Sequence, residues 1–191
     1  MGGTRMGGAP PFGDAGDVVY PHYLINGRVP TAPDVLRAKP GQRVRLRVIN
    51  AGSDTIFTVA LGGHRVTITD TDGFAVQPRA TGAFYIGMGE RYDAIVTLDE
   101  GVFPLVAAPY GKEGQAMALV RTGSGAAPDP AARPRELDGP VLEGADLLPA
   151  EASRLSTRMP DSTETVQLNG QMMPYQWDIN GAPYGKNEPI V

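Results

Sequence analysis

Residues 42–48 read QRVRLRV, with Val44, Leu46 and Val48 at every second place and Arg43, Arg45 and Arg47 beside them. Successive side chains of an extended chain point to opposite faces, so this alternation predicts a strand with one aliphatic and one arginine face. The overlapping KPGQ is a turn sequence. Short apolar runs of the same kind follow: TIFTVAL (55–61), HRVTITD (64–70), GAFYIG (82–87), RYDAIVTL (91–98), VFPLVAA (102–108) and AMALVRT (116–122). Gly62-Gly63, between the first two of these, predicts a hairpin joint. The chain carries 25 glycines and 18 prolines in 191 residues and no convincing amphipathic helix. The expectation is an all-β chain: a sandwich of about eight short antiparallel strands. Alternation places Val44, Leu46, Val48, Phe57, Val59, Val66, Ile68, Tyr92 and Val96 inside it.

The texture changes along the chain. Residues 1–16 are rich in Gly and Pro and are expected to form a flexible lead-in. Residues 17–123 carry the strand pattern. Residues 124–163 have linker composition, with VLEGADLLPAEASRL a hint of aliphatic anchoring. Residues 164–191 open new strands, TVQLNG and YQWDING, with too little chain left for a second core. A net charge of −4 argues against nucleic-acid and anionic-membrane partners. No apolar run approaches the roughly 18 residues of a membrane span, and MGGTRMGGAPPFG has no hydrophobic stretch of the signal-peptide kind. With no cysteine, the chain offers neither thiolate ligands nor a cysteine nucleophile.

One phrase occurs twice. YLINGR (23–28) and WDING (177–181) each run from an aromatic residue to Ile-Asn-Gly, with Pro30 or Pro183 close behind. The stretch YLINGRVPTAPDVLRAKPGQRVRLRVINAG (23–52) resembles the start of the second domain of three-domain multicopper oxidases, the bacterial laccase-like group. TDGFAVQP (71–78) and above all GMGERYDAIV (87–96) strengthen the match, and GQMMPYQWDINGAPYGKNEP (170–189) resembles the opening of the third domain. The resemblance implies a cupredoxin-like Greek-key β-sandwich over 17–123, followed by the first strands of a truncated third cupredoxin domain over 164–191. The chain is thus expected to be a fragment or a truncated gene product. Its parent would take single electrons from phenols, aromatic amines or metal ions and reduce dioxygen to water. The family implies a periplasmic or extracellular location, and the expected partners are the flanking copper-bearing domains, with self-association through the tail a further possibility.

Copper is the family's cofactor, so the ligands must be counted. A blue-copper site takes two histidines and a cysteine, and the family's trinuclear cluster takes His-x-His pairs. This chain has two histidines, His22 and His64, in separate places, and no cysteine. His22 is expected to be a packed or solvent-edge imidazole and His64 a turn residue. Met172-Met173 is expected to pack, while Met1 and Met6 lie in the lead-in, where thioethers could hold copper only weakly. Asp72-Gly73 reads as a turn whose carboxylate caps backbone amides. Glu90, Arg91 and Asp93 are expected to form a corner network, and Arg43, Arg45 and Arg47 a solvated face. No catalytic, cofactor-binding or metal residue is therefore assigned; copper belongs to the parent enzyme, and this chain alone is expected to be inactive. Two functions stay open: a copper-free structural middle domain, or an autonomous non-enzymatic interaction module derived from the family.

Overall fold

The computed structural model of the chain describes residues 12–13, 18–186 and 189, with the side chain of Met172 apart. Most of the expected lead-in, Met1 and Met6 included, lies outside the described residues. The chain divides into two units, Met1–Arg154 and Leu155–Val191.

The first unit is the sandwich. Its strands are β1 (Val35–Arg37), β2 (Arg43–Ile49), β3 (Phe57–Leu61), β4 (Val66–Thr71), β5 (Phe74–Thr81), β6 (Ala83–Ile86), β7 (Arg91–Thr97), β8 (Val102–Pro109), β9 (Ala116–Arg121) and β10 (Val141–Leu142). One sheet has the order β1-β9-β8-β3-β6-β10 and the other β2-β7-β4-β5. The fold is all-β and cupredoxin-like. Val59, Val66, Ile68, Tyr92 and Val96 are buried between the sheets, and Val44, Leu46, Val48 and Phe57 pack partly buried against them, all on the side that alternation gave them.

Two expectations change. The Gly62-Gly63 joint is no hairpin: β3 pairs with β6 and β8, whereas β4 pairs with β5 and β7 in the opposite sheet. Leu61 and Val66 are both buried at the crossing. Gly62 lies against the Pro104 ring, with the space for a Cβ only 3.1 Å from it, and Gly63 has φ +76. The glycines therefore form a tight turn, closed by the His64 N–H on Leu61 O, that crosses between layers instead of joining paired strands. The true hairpin is β4–β5, where Asp72 (φ 51) and Gly73 (φ 88) join the paired residues Thr71 and Phe74.

The second change lies in the stretch expected to be linker, 124–163. Leu137 and Leu142 are buried in the sandwich, and β10 lengthens a sheet by pairing with β6. Val76 bridges Pro149, and the Gln77 N–H donates to Leu148 O at 2.8 Å. Two or three aliphatic side chains suffice to hold such a segment against a sandwich, although its Pro and Gly content resembles a linker.

The second unit carries β11 (Leu168–Met172), β12 (Tyr175–Ile179) and β13 (Ala182–Pro183), an antiparallel three-stranded sheet. Its Asn180-Gly181 turn (φ 54 and 79) joins the paired Ile179 and Ala182. The first copy of the phrase does the same: Asn26-Gly27 (φ 50 and 75) joins Ile25 and Arg28, each of which donates to the other's carbonyl. The sequence echo is thus an echo of one turn conformation, tolerated best by Asn and Gly.

Candidate functional site

The histidines come first, as the only side chains here that could anchor a copper ion strongly. His64 is buried at the β3–β4 crossover. Its Nε2 lies 3.1 Å from the Asp99 backbone N, whose only proton it must accept, so Nδ1 carries the ring proton and donates to Gly62 O at 2.8 Å. The ring also stands edge-on to Phe103 at 4.4 Å. It closes the turn as expected, its backbone N–H donating to Leu61 O at 3.1 Å, but it is also a core histidine with both ring nitrogens committed. His22 is exposed, at the solvent edge. Among the described residues, no three His, Asp or Glu side chains converge to hold a metal ion.

The Gly-Glu-Arg-Tyr-Asp corner sends its charged groups in three directions rather than into one network. The Glu90 carboxylate accepts the Gly87 N–H across the local turn. The Arg91 guanidinium donates to Gly89 O at 2.8 Å and faces Asp72 at 3.4 Å. Asp72, at the tip of the β4–β5 hairpin, accepts the Arg91 backbone N–H at 3.0 Å, the capping role expected of it. Asp93 faces Arg45 at 3.2 Å and Arg47 at 3.8 Å, while Arg45 also reaches Asp70 at 3.7 Å. The arginine face is thus a solvated face laced with carboxylates, each pair being half-exposed and weak.

Tyr92 points the other way, into the core. Burial, aided by the negative charge of Glu90, pushes its phenol up to about 12. Its hydroxyl reaches Gly144, where a Cβ would sit 3.1 Å away. The corner motif therefore also packs closely against the segment after β10.

Several structural anchors carried no sequence signal. Asn50 is buried; its Nδ2 donates to Thr55 O at 2.8 Å and Ile86 O at 3.0 Å, while Oδ1 accepts the Gly52 N–H at 2.9 Å. One amide thereby ties three stretches of backbone. The Lys112 side chain, 9% exposed, pairs with Asp54 at 2.6 Å and donates to Val18 O at 2.9 Å. Glu136 accepts the Gly63 N–H at 3.1 Å, pinning the supposed linker to the crossover. Ile86, Asp54, Val18 and Gly63 are remote in sequence from the side chains they meet, so no local pattern reveals these roles; the Asn-Ala-Gly after β2 is at most a turn signal.

A cleft of about 830 Å³ lies between β2 and residues 20–27, floored by Leu36, Phe57, Val59 and Leu105 of the opposite sheet. Its walls are mainly aliphatic. Tyr20, His22 and Ser53 add polar groups to its lining, the Tyr20 and Ser53 hydroxyls 3.0 Å apart.

Residues 10–127 match the family described as multicopper oxidase. Multicopper oxidase MmcO of Mycobacterium tuberculosis is 48% identical over 178 residues, 93% of this chain and 35% of that protein. Copper resistance protein A of Escherichia coli is 29% identical over 158 residues, 80% of this chain and 26% of that one. The crystal structure of the laccase from Botrytis aclada superposes with a TM-score of 0.59 at 23% identity, covering 78% of this chain and 30% of the laccase, a likeness of fold. The chain spans about a third or less of the length of these relatives. It belongs to the multicopper oxidase family, among laccase-like and copper-resistance relatives.

Proposed function

We propose that this chain is the copper-free middle domain of a three-domain oxidase, carrying the opening strands of the third domain as its second unit. The parent would be an enzyme of the laccase type, coupling one-electron oxidation of phenols, aromatic amines or metal ions to reduction of dioxygen. The observation that carries the reading is the state of His64. An imidazole whose two nitrogens already serve Gly62 and Asp99 is no ligand without losing one of those bonds. His22 stands exposed with no convergent partner, and the chain has no thiolate to offer. The residues present do not fit copper, so the sandwich would act by holding neighbouring domains in register.

The second unit supports the same reading. Leu168, Tyr175 and Trp177 are exposed on a three-stranded sheet that buries none of them, and Tyr184 is exposed just after it. Such a surface is covered in a complete protein. We assign the cover to the flanking copper-bearing sandwiches; in the isolated chain the same side chains would drive self-association. Placement in the periplasm or outside the cell follows from the family resemblance and is part of this proposal.

Copper titration by calorimetry, with phenol oxidation measured in parallel, is the test. The chain should take up no stoichiometric copper, develop no blue absorbance and oxidise no phenol. A tight one-to-one site that disappears in His64→Ala would overturn the reading.

A further inference from the structure

β2 is the outermost strand of its sheet and has a neighbour on one side only. At its two ends Leu98 N–H donates to Gln42 O and Asn50 N–H donates to Glu90 O. Antiparallel alternation between these points turns the backbone groups of Val44, Leu46 and Val48 toward β7. The N–H and C=O groups of Arg43, Arg45, Arg47 and Ile49 therefore face out of the sheet, and among the described residues none has a backbone partner there. The cleft of about 830 Å³ runs beside this edge, with the inward faces of Leu46 and Val48 on one wall and Leu24 and Ile25 on the other. Thr55 lines it too, 3% exposed, with a buried hydroxyl that has no partner.

We infer that the β2 edge accepts an added strand from a partner polypeptide, an extended segment in which aliphatic residues alternate with Asp or Glu. The backbone of that strand would pair with Arg43, Arg45 and Arg47, as in other cases of strand addition. Its aliphatic side chains would enter the cleft beside Leu46 and Val48. Its carboxylates would lie on the other face, next to the arginine stripe, which occupies the outermost strand and is only partly matched by Asp93 and Asp70, one and two strands further in. Charge also decides against a second copy of this chain. Two β2 strands paired antiparallel across a two-fold axis would set arginine against arginine along the whole contact. The inference stands on the sheet edge and cleft, independently of the copper-free assignment.

Calorimetric titration with a capped peptide alternating Glu and Val, matched to the seven residues of β2, tests it on the intact chain. This peptide should bind, and a Lys/Val peptide of the same pattern should bind about tenfold more weakly or not at all. Methylating the peptide nitrogens that face β2 should abolish binding, because the added ladder is lost. Arg47→Pro removes an outward N–H and no internal ladder bond, so it should remove binding while the melting curve is retained. Arg47→Ala should weaken binding only a few-fold. If Arg47→Pro fails to fold, the methylated peptide still decides the matter. No binding by the Glu/Val peptide, equal binding by Lys/Val, indifference to methylation, or a dimer that Arg47→Pro dissolves would each overturn the inference.

Discussion

His64 takes the backbone N–H of Asp99 at Nε2, 3.1 Å away, and so joins the β3–β4 crossover to the end of β7. Because Nδ1 is bonded to Gly62 O, the ring is held at both nitrogens. His64→Ala should cost about 2–4 kcal/mol, combining two lost bonds with a cavity against Phe103. Urea unfolding measures this. Unchanged stability would mean that the imidazole holds nothing in place.

The core and the cleft should respond differently to truncation. Ile68 is wholly buried, and Ile68→Ala should cost about 3–5 kcal/mol. Leu46 lines the cleft and is only partly buried, so Leu46→Ala should fall lower, at about 1–2 kcal/mol. Arg43→Ala, on the outer face, should stay below about 0.5 kcal/mol. If Leu46 and Ile68 cost the same, then the cleft is closed in solution.

Tyr92 should make the sandwich sensitive to alkali. Its phenol is raised from 10.0 to about 12 by burial and by Glu90. The folded chain thus holds the proton more tightly than the unfolded one. The stabilisation is complete below pH 10 and is lost as pH rises toward 12, amounting to about 2 kcal/mol. Tyr92→Phe should flatten this alkaline slope. Denaturant melts at pH 8 to 11.5 would reveal it; parallel slopes for both proteins would refute the assignment.

Truncation should separate the two units. A chain ending at Arg154 should melt as cooperatively as the full one, because the sandwich closes within the first unit. It should also self-associate less than the full chain, having lost the exposed Tyr175 and Trp177, as read by sedimentation velocity. A chain ending at residue 123 should be markedly less stable, since it lacks Leu137, Leu142 and the Glu136 bond to Gly63. Equal melts for the two truncations would show that the 135–154 segment adds nothing.

By itself the sequence determined whatever depends on neighbours along the chain. Alternation in QRVRLRV set the inner and outer faces of β2, because side-chain direction on a strand has a period of two. Asn-Gly and Asp-Gly set three left-handed turns, at Asn26, Asp72 and Asn180, because few other residues tolerate that conformation. Absence of cysteine settled the matter of a thiolate before any fold was known. The tertiary structure alone decided what remote partners do. Gly62-Gly63 looked like a hairpin, yet the pairing of β3 with β6 and β8 made it a crossover between layers. A stretch with linker composition became part of the sandwich when Leu137 and Leu142 found buried places. His64 acquired its role from Asp99, Asn50 from Ile86, and Lys112 from Val18 and Asp54. Those contacts join residues distant along the chain, and packing of the two sheets, rather than any local pattern, brings them within reach.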